Sequence, residues 1–167
     1  LRTFVDGEVG EFHSRLGNEP IAIEPNELAR DYASVPLAVL VDAETEADAE
    51  QLTAILQDQG RAIVVGSQTS GQTHGANSVN LDDGSLLQIV SFGFQLPDGR
   101  TLEGQGVTPD VVVEDDWLDY PEAEDPMLLA ALDVLETLRA EVAPTAEAAP
   151  TPEAAPTPEA APTPEAA

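Results

Sequence analysis

The stretch Pro36-Leu-Ala-Val-Leu-Val-Asp42, followed after one helical segment by Arg61-Ala-Ile-Val-Val-Gly66, decides the fold class of this chain. Both runs are apolar at consecutive rather than alternate positions, the pattern of strands covered on two faces. Between them Ala47, Ala49, Leu52, Ile55 and Leu56 recur at helical spacing. Acidic residues crowd the start of that segment, where the helix dipole favours them, and Gly60 stands where a helix commonly stops. Strand, helix and strand with short connections form a crossover between parallel strands, so the region is predicted to be α/β rather than all-β or a helical bundle.

Upstream of this unit, Leu1 to Val5 read as the last turn of a helix, and Val9 to Leu16 and Pro20 to Glu24 as short strands turning at Gly17-Asn18-Glu19. Downstream, a polar loop from Ser67 to Asn77 leads to strands Ser78 to Leu81 and Ser85 to Leu96, joined through Asp82-Asp83-Gly84. Asp98-Gly99 makes a further turn, and Val111 to Val113 is a short apolar run. Pro126 suits the first position of an amphipathic helix carrying Leu129, Leu132, Leu135 and Leu138. Trp117 and Tyr120 are expected to pin the chain's return to the core.

From Pro144 onward the chain falls into repeats of Pro-Thr-Pro-Glu-Ala-Ala, beginning at Pro150, Pro156 and Pro162. Alternate prolines withhold amide hydrogens, and Ala, Thr and Glu offer too little apolar surface to offset ordering entropy, so residues 143–167 read as an extended low-complexity tail after a domain at 1–142.

Across its 167 residues the chain carries a formal charge of -26, which excludes nucleic-acid binding through phosphate contacts and makes anionic membrane surfaces unsuitable partners. Its six basic residues are all arginines. Without lysine there is no side-chain amine for a general base or Schiff base. Without cysteine there are no disulfides, thiolate nucleophiles or thiolate metal sites. The histidines, His13 and His74, are far apart in sequence, and no metal or cofactor is expected. No apolar run approaches the roughly 20 residues of a membrane-spanning helix.

Several phrases, in order, resemble the carboxyl-terminal processing or tail-specific proteases, serine peptidases with a Clp protease/crotonase-like core. They are Pro36-Leu-Ala-Val-Leu-Val-Asp42, Leu56-Gln-Asp-Gln-Gly-Arg-Ala62, Val65-Gly66 with Thr69 and Gly71, Leu81-Asp-Asp-Gly-Ser-Leu-Leu87, and Leu96-Pro-Asp-Gly-Arg-Thr-Leu102 running into Gly104-Gln-Gly-Val-Thr-Pro-Asp110. The resemblance covers the last part of such an enzyme, and it implies that the first core strands and a peptide-binding PDZ domain lie upstream. It also implies a polypeptide substrate or partner, and a periplasmic or extracellular location to which the tail is suited. On a chain missing those first strands, the strands at Pro36 to Asp42 and Arg61 to Val65 are expected to lack a sheet neighbour and to expose apolar surface.

Such proteases pair a serine nucleophile with a lysine base whose charged form is disfavoured by desolvation. The resemblance sets the family's Ser-Ala-Ser-Glu phrase on Ala47-Asp48-Ala49-Glu50, so the nucleophile position is Ala47. Its lysine loop falls on Thr69-Ser70-Gly71-Gln72-Thr73, so the base position is Gln72; a supporting glutamine corresponds to Ala76, and Asp58 matches the helix-end aspartate. A methyl group cannot attack a carbonyl, and a primary amide accepts no proton at neutral pH. Shifting the match to Thr45, Ser67 or Ser70 still finds no lysine. Two functions follow as expectations: a pseudo-peptidase that binds peptides or acts as a scaffold, or an active serine-type endopeptidase or other hydrolase using relocated or upstream residues, with His74 as a candidate base. Asp82-Asp83-Gly84 and Asp98-Gly99 read as plain turns, and Glu44, Glu46, Asp48 and Glu50 as a solvated acidic face.

Overall fold

The computed structural model describes residues 1–115 and 117–142; the low-complexity tail lies outside them. In chain order the elements are β1 (Gly7–Ser14), β2 (Gly17–Ile23), α1 (Glu27–Asp31), β3 (Ala38–Val41), α2 (Asp48–Asp58), β4 (Ile63–Gly66), β5 (Gly75–Asn80), β6 (Leu86–Gln95), β7 (Val111–Val112) and α3 (Pro126–Val142). They form two sheets, an antiparallel one in the order β2-β1-β6-β5 and a parallel one in the order β3-β4-β7.

The parallel sheet explains the doubly apolar runs. Val64 and Val65 are both fully buried but belong to different clusters. Val64 joins Val41, Ala54, Ile55, Leu56, Phe94 and Leu96, which tie α2 to the antiparallel sheet; Val65 meets Met127 and Ala131 of α3. Each such valine contributes about 1.5–3 kcal/mol through burial. Strand β4 therefore has a strand on each side and a packed layer on each face. Among the described residues β3 and the two-residue β7 are the edges of this sheet, with Leu40 and Val112 exposed, so the expectation that the strands at 36–42 and 61–65 lack a sheet neighbour holds for one side of β3 and fails for β4, which pairs with both.

Other expectations are corrected. The first hairpin turns at Arg15-Leu16, because Ser14 pairs with Gly17 and the Ser14 hydroxyl bonds the Gly17 carbonyl and the Leu16 N–H; Gly17-Asn18-Glu19 begins β2. The short helix α1, capped by the Asn26 side chain on the Ala29 N–H, has no apolar periodicity to announce it. On α3 the packed stripe is Met127, Ala131 and Val134, while Leu129 and Leu132 face outward, half exposed. Trp117 and Tyr120 are 47% and 40% exposed, with the Tyr120 hydroxyl on Asp115, so neither anchors the core.

Gly66 is required where β4 ends. Its φ is +134°, and a Cβ there would collide with the Val41 carbonyl oxygen of the neighbouring strand. The chain turns there into the loop that carries Gln72.

Candidate functional site

The segment between β3 and α2 and the loop after β4 meet beyond the carboxyl ends of the parallel strands, where α/β sheets commonly build ligand sites. Two main-chain bonds lace them together: the Ser70 N–H donates to the Thr45 carbonyl at 3.1 Å, and the Ala47 N–H to the Gln72 carbonyl at 2.9 Å. Ala47 and Gln72, far apart in sequence, are thus brought together, both with exposed side chains. Ala47 has φ 52° and ψ −123°, and no other non-glycine among the described residues has positive φ. A side-chain-bearing residue held in such a region costs on the order of 1–3 kcal/mol. Ala47 closes the six-residue connection between β3 and α2 and stands exposed beside the start of that helix. The N–H of Asp48, next in the chain, takes no acceptor among the described residues, which leaves a donor for an oxygen of a bound group.

What holds the two segments in place is Glu50. It has no exposed surface, which corrects its assignment to a solvated acidic face. One carboxylate oxygen accepts the Gly71 N–H at 2.7 Å and the Thr69 hydroxyl; the other accepts the Gln72 N–H at 2.9 Å and the Ser70 hydroxyl at 3.3 Å. The Thr69 hydroxyl oxygen in turn accepts the Val107 N–H at 2.7 Å, and the Gly104 N–H reaches the Gly71 carbonyl at 2.8 Å. Glycine at 71, with φ +73°, lets the loop lie against Gln105 and Gly106. The signal that could have found Glu50 is its helical register with Thr53, Ala54 and Gln57, because Thr53 and Ala54 are buried.

A second carboxylate, also missed in the sequence, continues the lacing. Glu103 accepts the Thr73 N–H at 2.9 Å and the His74 N–H at 3.1 Å, and its other oxygen meets His74 Nδ1 at 3.0 Å. Partial burial pushes the Glu103 carboxyl up, but the Thr73 N–H, the His74 ring and the His74 N–H outweigh it and hold the group below its ordinary range. His13 and His74 are not scattered in space. A Cβ on Gly93 would lie 2.5 Å from His13 Nε2 and 3.1 Å from His74 Cδ2, so the absent side chain makes room for both rings. Together with Thr73, Phe94, Thr101 and Glu103 they line a cavity of about 280 Å³. Among the described residues no three His, Asp or Glu converge as a metal site.

The remaining sequence candidates lie apart. Asp58 is at the opposite end of α2, about 16 Å along the helix from Ala47, and meets Arg100 at 2.7 Å. Asp98, on the same arginine, raises the guanidinium above its ordinary value. Thr45 bonds Asp42 at the head of the loop. Ala76 sits on β5, exposed, and Ser67 follows β4.

A strained residue at the start of α2, an amide left open beside it and a loop locked against both place the candidate site of this α/β core at the carboxyl ends of its parallel strands. The match to known proteins narrows the class, since the model of peptidase family S41 covers residues 3–113, and the chain belongs to that family. It is 33% identical over 103 residues to a carboxyl-terminal-processing protease of Synechocystis, covering 60% of this chain and 24% of that protein. It is 30% identical over 79 residues to a carboxy-terminal-processing protease of Bartonella bacilliformis, covering 47% and 18%. The solved photosystem II D1 C-terminal processing protease superposes with a TM-score of 0.60 at 28% identity, over 85% of this chain and 34% of that one. The chain thus spans about a quarter or less of the length of these two curated relatives.

Proposed function

We propose that this member of the tail-specific peptidase family is catalytically silent and holds polypeptide segments without cutting them. The observation that carries this reading is the pair Ala47 and Gln72. The strained turn, the lacing to the loop and the Glu50 lock are all in place, while the side chains at the two reacting positions are a methyl group and an amide. A hydroxyl attacks only once a base takes its proton, and this chain supplies neither the hydroxyl at 47 nor any lysine. In keeping with the family, we place its work outside the cytoplasm, on peptides or partner proteins.

The His74–Glu103 pair favours a second reading. A carboxylate holding imidazole Nδ1 leaves Nε2 to act as a base, the arrangement of the second and third members of a Ser-His-Asp triad. No hydroxyl is hydrogen-bonded to His74 among the described residues, which is why the first reading is preferred. Mass spectrometry of a mixed peptide pool incubated with the protein separates the two. Silence predicts intact peptides after prolonged incubation; cleavage that disappears in His74→Ala establishes the second reading.

A further inference from the structure

We infer that the cavity beside the amino end of β4, lined by Arg30 and Arg61, is a binding site for a small organic carboxylate with an apolar body. Arg61 stands just before β4, at the opposite end of that strand from the loop that carries Gln72. The site is therefore separate from the reacting positions and does not depend on their silence.

The first argument is one of charge. The chain sets 32 carboxylates against six arginines, yet two of those six line this one cavity, and neither forms an ion pair among the described residues. Arg100, by contrast, holds two aspartates. Arg61 is partly buried; its Nη2 donates to the Tyr32 carbonyl at 2.8 Å, and its Nε is buried with no acceptor among the described residues. A guanidinium taken partly out of water without a counter-ion carries a desolvation cost that a bound carboxylate offsets.

The second argument is one of shape. The Arg61 guanidinium lies over the Phe4 ring, 5.6 Å from its centroid, and the bond to Tyr32 fixes the direction of its donor fork. A planar fork held in place matches the two oxygens of a carboxylate. Phe4, Ala29 and Ala33 supply apolar wall for the rest of the ligand in a cavity of about 270 Å³. Arg30, exposed in the last turn of α1, adds a second cation. Asp6 lines the same cavity, exposed, and pairs with neither arginine, so it opposes an anion without neutralising the guanidiniums. The negative charge of the whole chain acts from farther away and is screened beyond about 8 Å at physiological ionic strength, which leaves the decision to the contacts in the cavity.

The test is a titration of the complete 167-residue chain, isotopically labelled at arginine, in which the six side-chain Nε–H groups are followed by NMR. Phenylacetate, a ligand of about ten non-hydrogen atoms, should shift the Arg61 and Arg30 signals saturably with a Kd in the low millimolar range and leave those of Arg100 and Arg139 in place. Phenylacetamide, its uncharged counterpart, and inorganic phosphate, which has no apolar body, should not bind. Arg61→Gln should weaken phenylacetate binding about tenfold or more, and Arg30→Gln about three- to fivefold. Asp6→Asn should tighten it about two- to threefold. Neither the Arg30 nor the Asp6 side chain makes a hydrogen bond or ion pair among the described residues, so these two variants test the site even where Arg61→Gln lowers stability. No saturable shift, all six signals moving together, phenylacetamide or phosphate binding as well as phenylacetate, or an affinity unchanged in both Arg30→Gln and Asp6→Asn overturns the assignment.

Discussion

Replacing Glu50 with alanine should unfasten the site. The carboxylate is fully buried and accepts two main-chain N–H groups, of Gly71 and Gln72, and two hydroxyls, of Thr69 and Ser70. Each donor left unpaired in a buried setting costs roughly 1–3 kcal/mol. Relief of the carboxylate's own desolvation offsets part of this, and the exposed side of the loop can rehydrate, which leaves a net loss of about 3–5 kcal/mol. For a domain of this size that corresponds to a fall in Tm on the order of 10 °C. Glu50→Gln keeps one acceptor but turns an NH₂ toward a donor, and should lose about 1–3 kcal/mol. Urea unfolding measures both, and hydrogen exchange should show the Gly71 and Gln72 amides losing protection first. Glu46→Ala, exposed in the same acidic stretch, is the control and should stay within about 0.5 kcal/mol of the parent. If Glu50→Ala were as stable as that control, the assignment of Glu50 as the lock would be wrong.

Ala47→Gly should raise stability by about 0.5–2 kcal/mol in urea titration, since relief of the positive-φ strain exceeds the added entropy of the unfolded chain; a loss would show that the turn is unstrained. Gly66→Ala should cost about 3 kcal/mol or more and lower the soluble yield, because its Cβ meets the Val41 carbonyl oxygen in a backbone conformation alanine avoids. The Glu103 carboxyl titrates lower in the folded chain than in the unfolded one, so its contribution is present above the ordinary carboxylate range and is lost as the pH falls through its folded value. Glu103→Gln should therefore flatten the acid side of the stability profile measured by thermal melts from pH 3 to 7.

The parallel unit was legible in the sequence because burial on both faces of β4 leaves an unbroken apolar run, and Pro126 and Gly60 mark helix ends through local backbone chemistry. The face of α3 was not, since a leucine looks the same in sequence whether it meets β4 or water, and small residues such as Ala131 do the packing. Ala47 and Gln72 were legible only through the family phrases, and their meeting depends on a main-chain bond that no side chain announces. Glu50 was misread for a related reason. A carboxylate in the first turn of a helix is ordinarily solvated, and only the return of the Thr69–Gln72 loop over α2 buries it. The pairing of His74 with Glu103 likewise arises from long-range contact between two loops.

Silence at the reacting positions is tested most directly by covalent labelling with a fluorophosphonate, which requires an activated hydroxyl. The native chain should take up no label, Ala47→Ser alone and Gln72→Lys alone should take up none, and Ala47→Ser with Gln72→Lys should become labelled, showing that the scaffold still aligns a nucleophile with a base. Stoichiometric labelling of the native chain, abolished by His74→Ala, would contradict the account and place a working nucleophile elsewhere in the molecule.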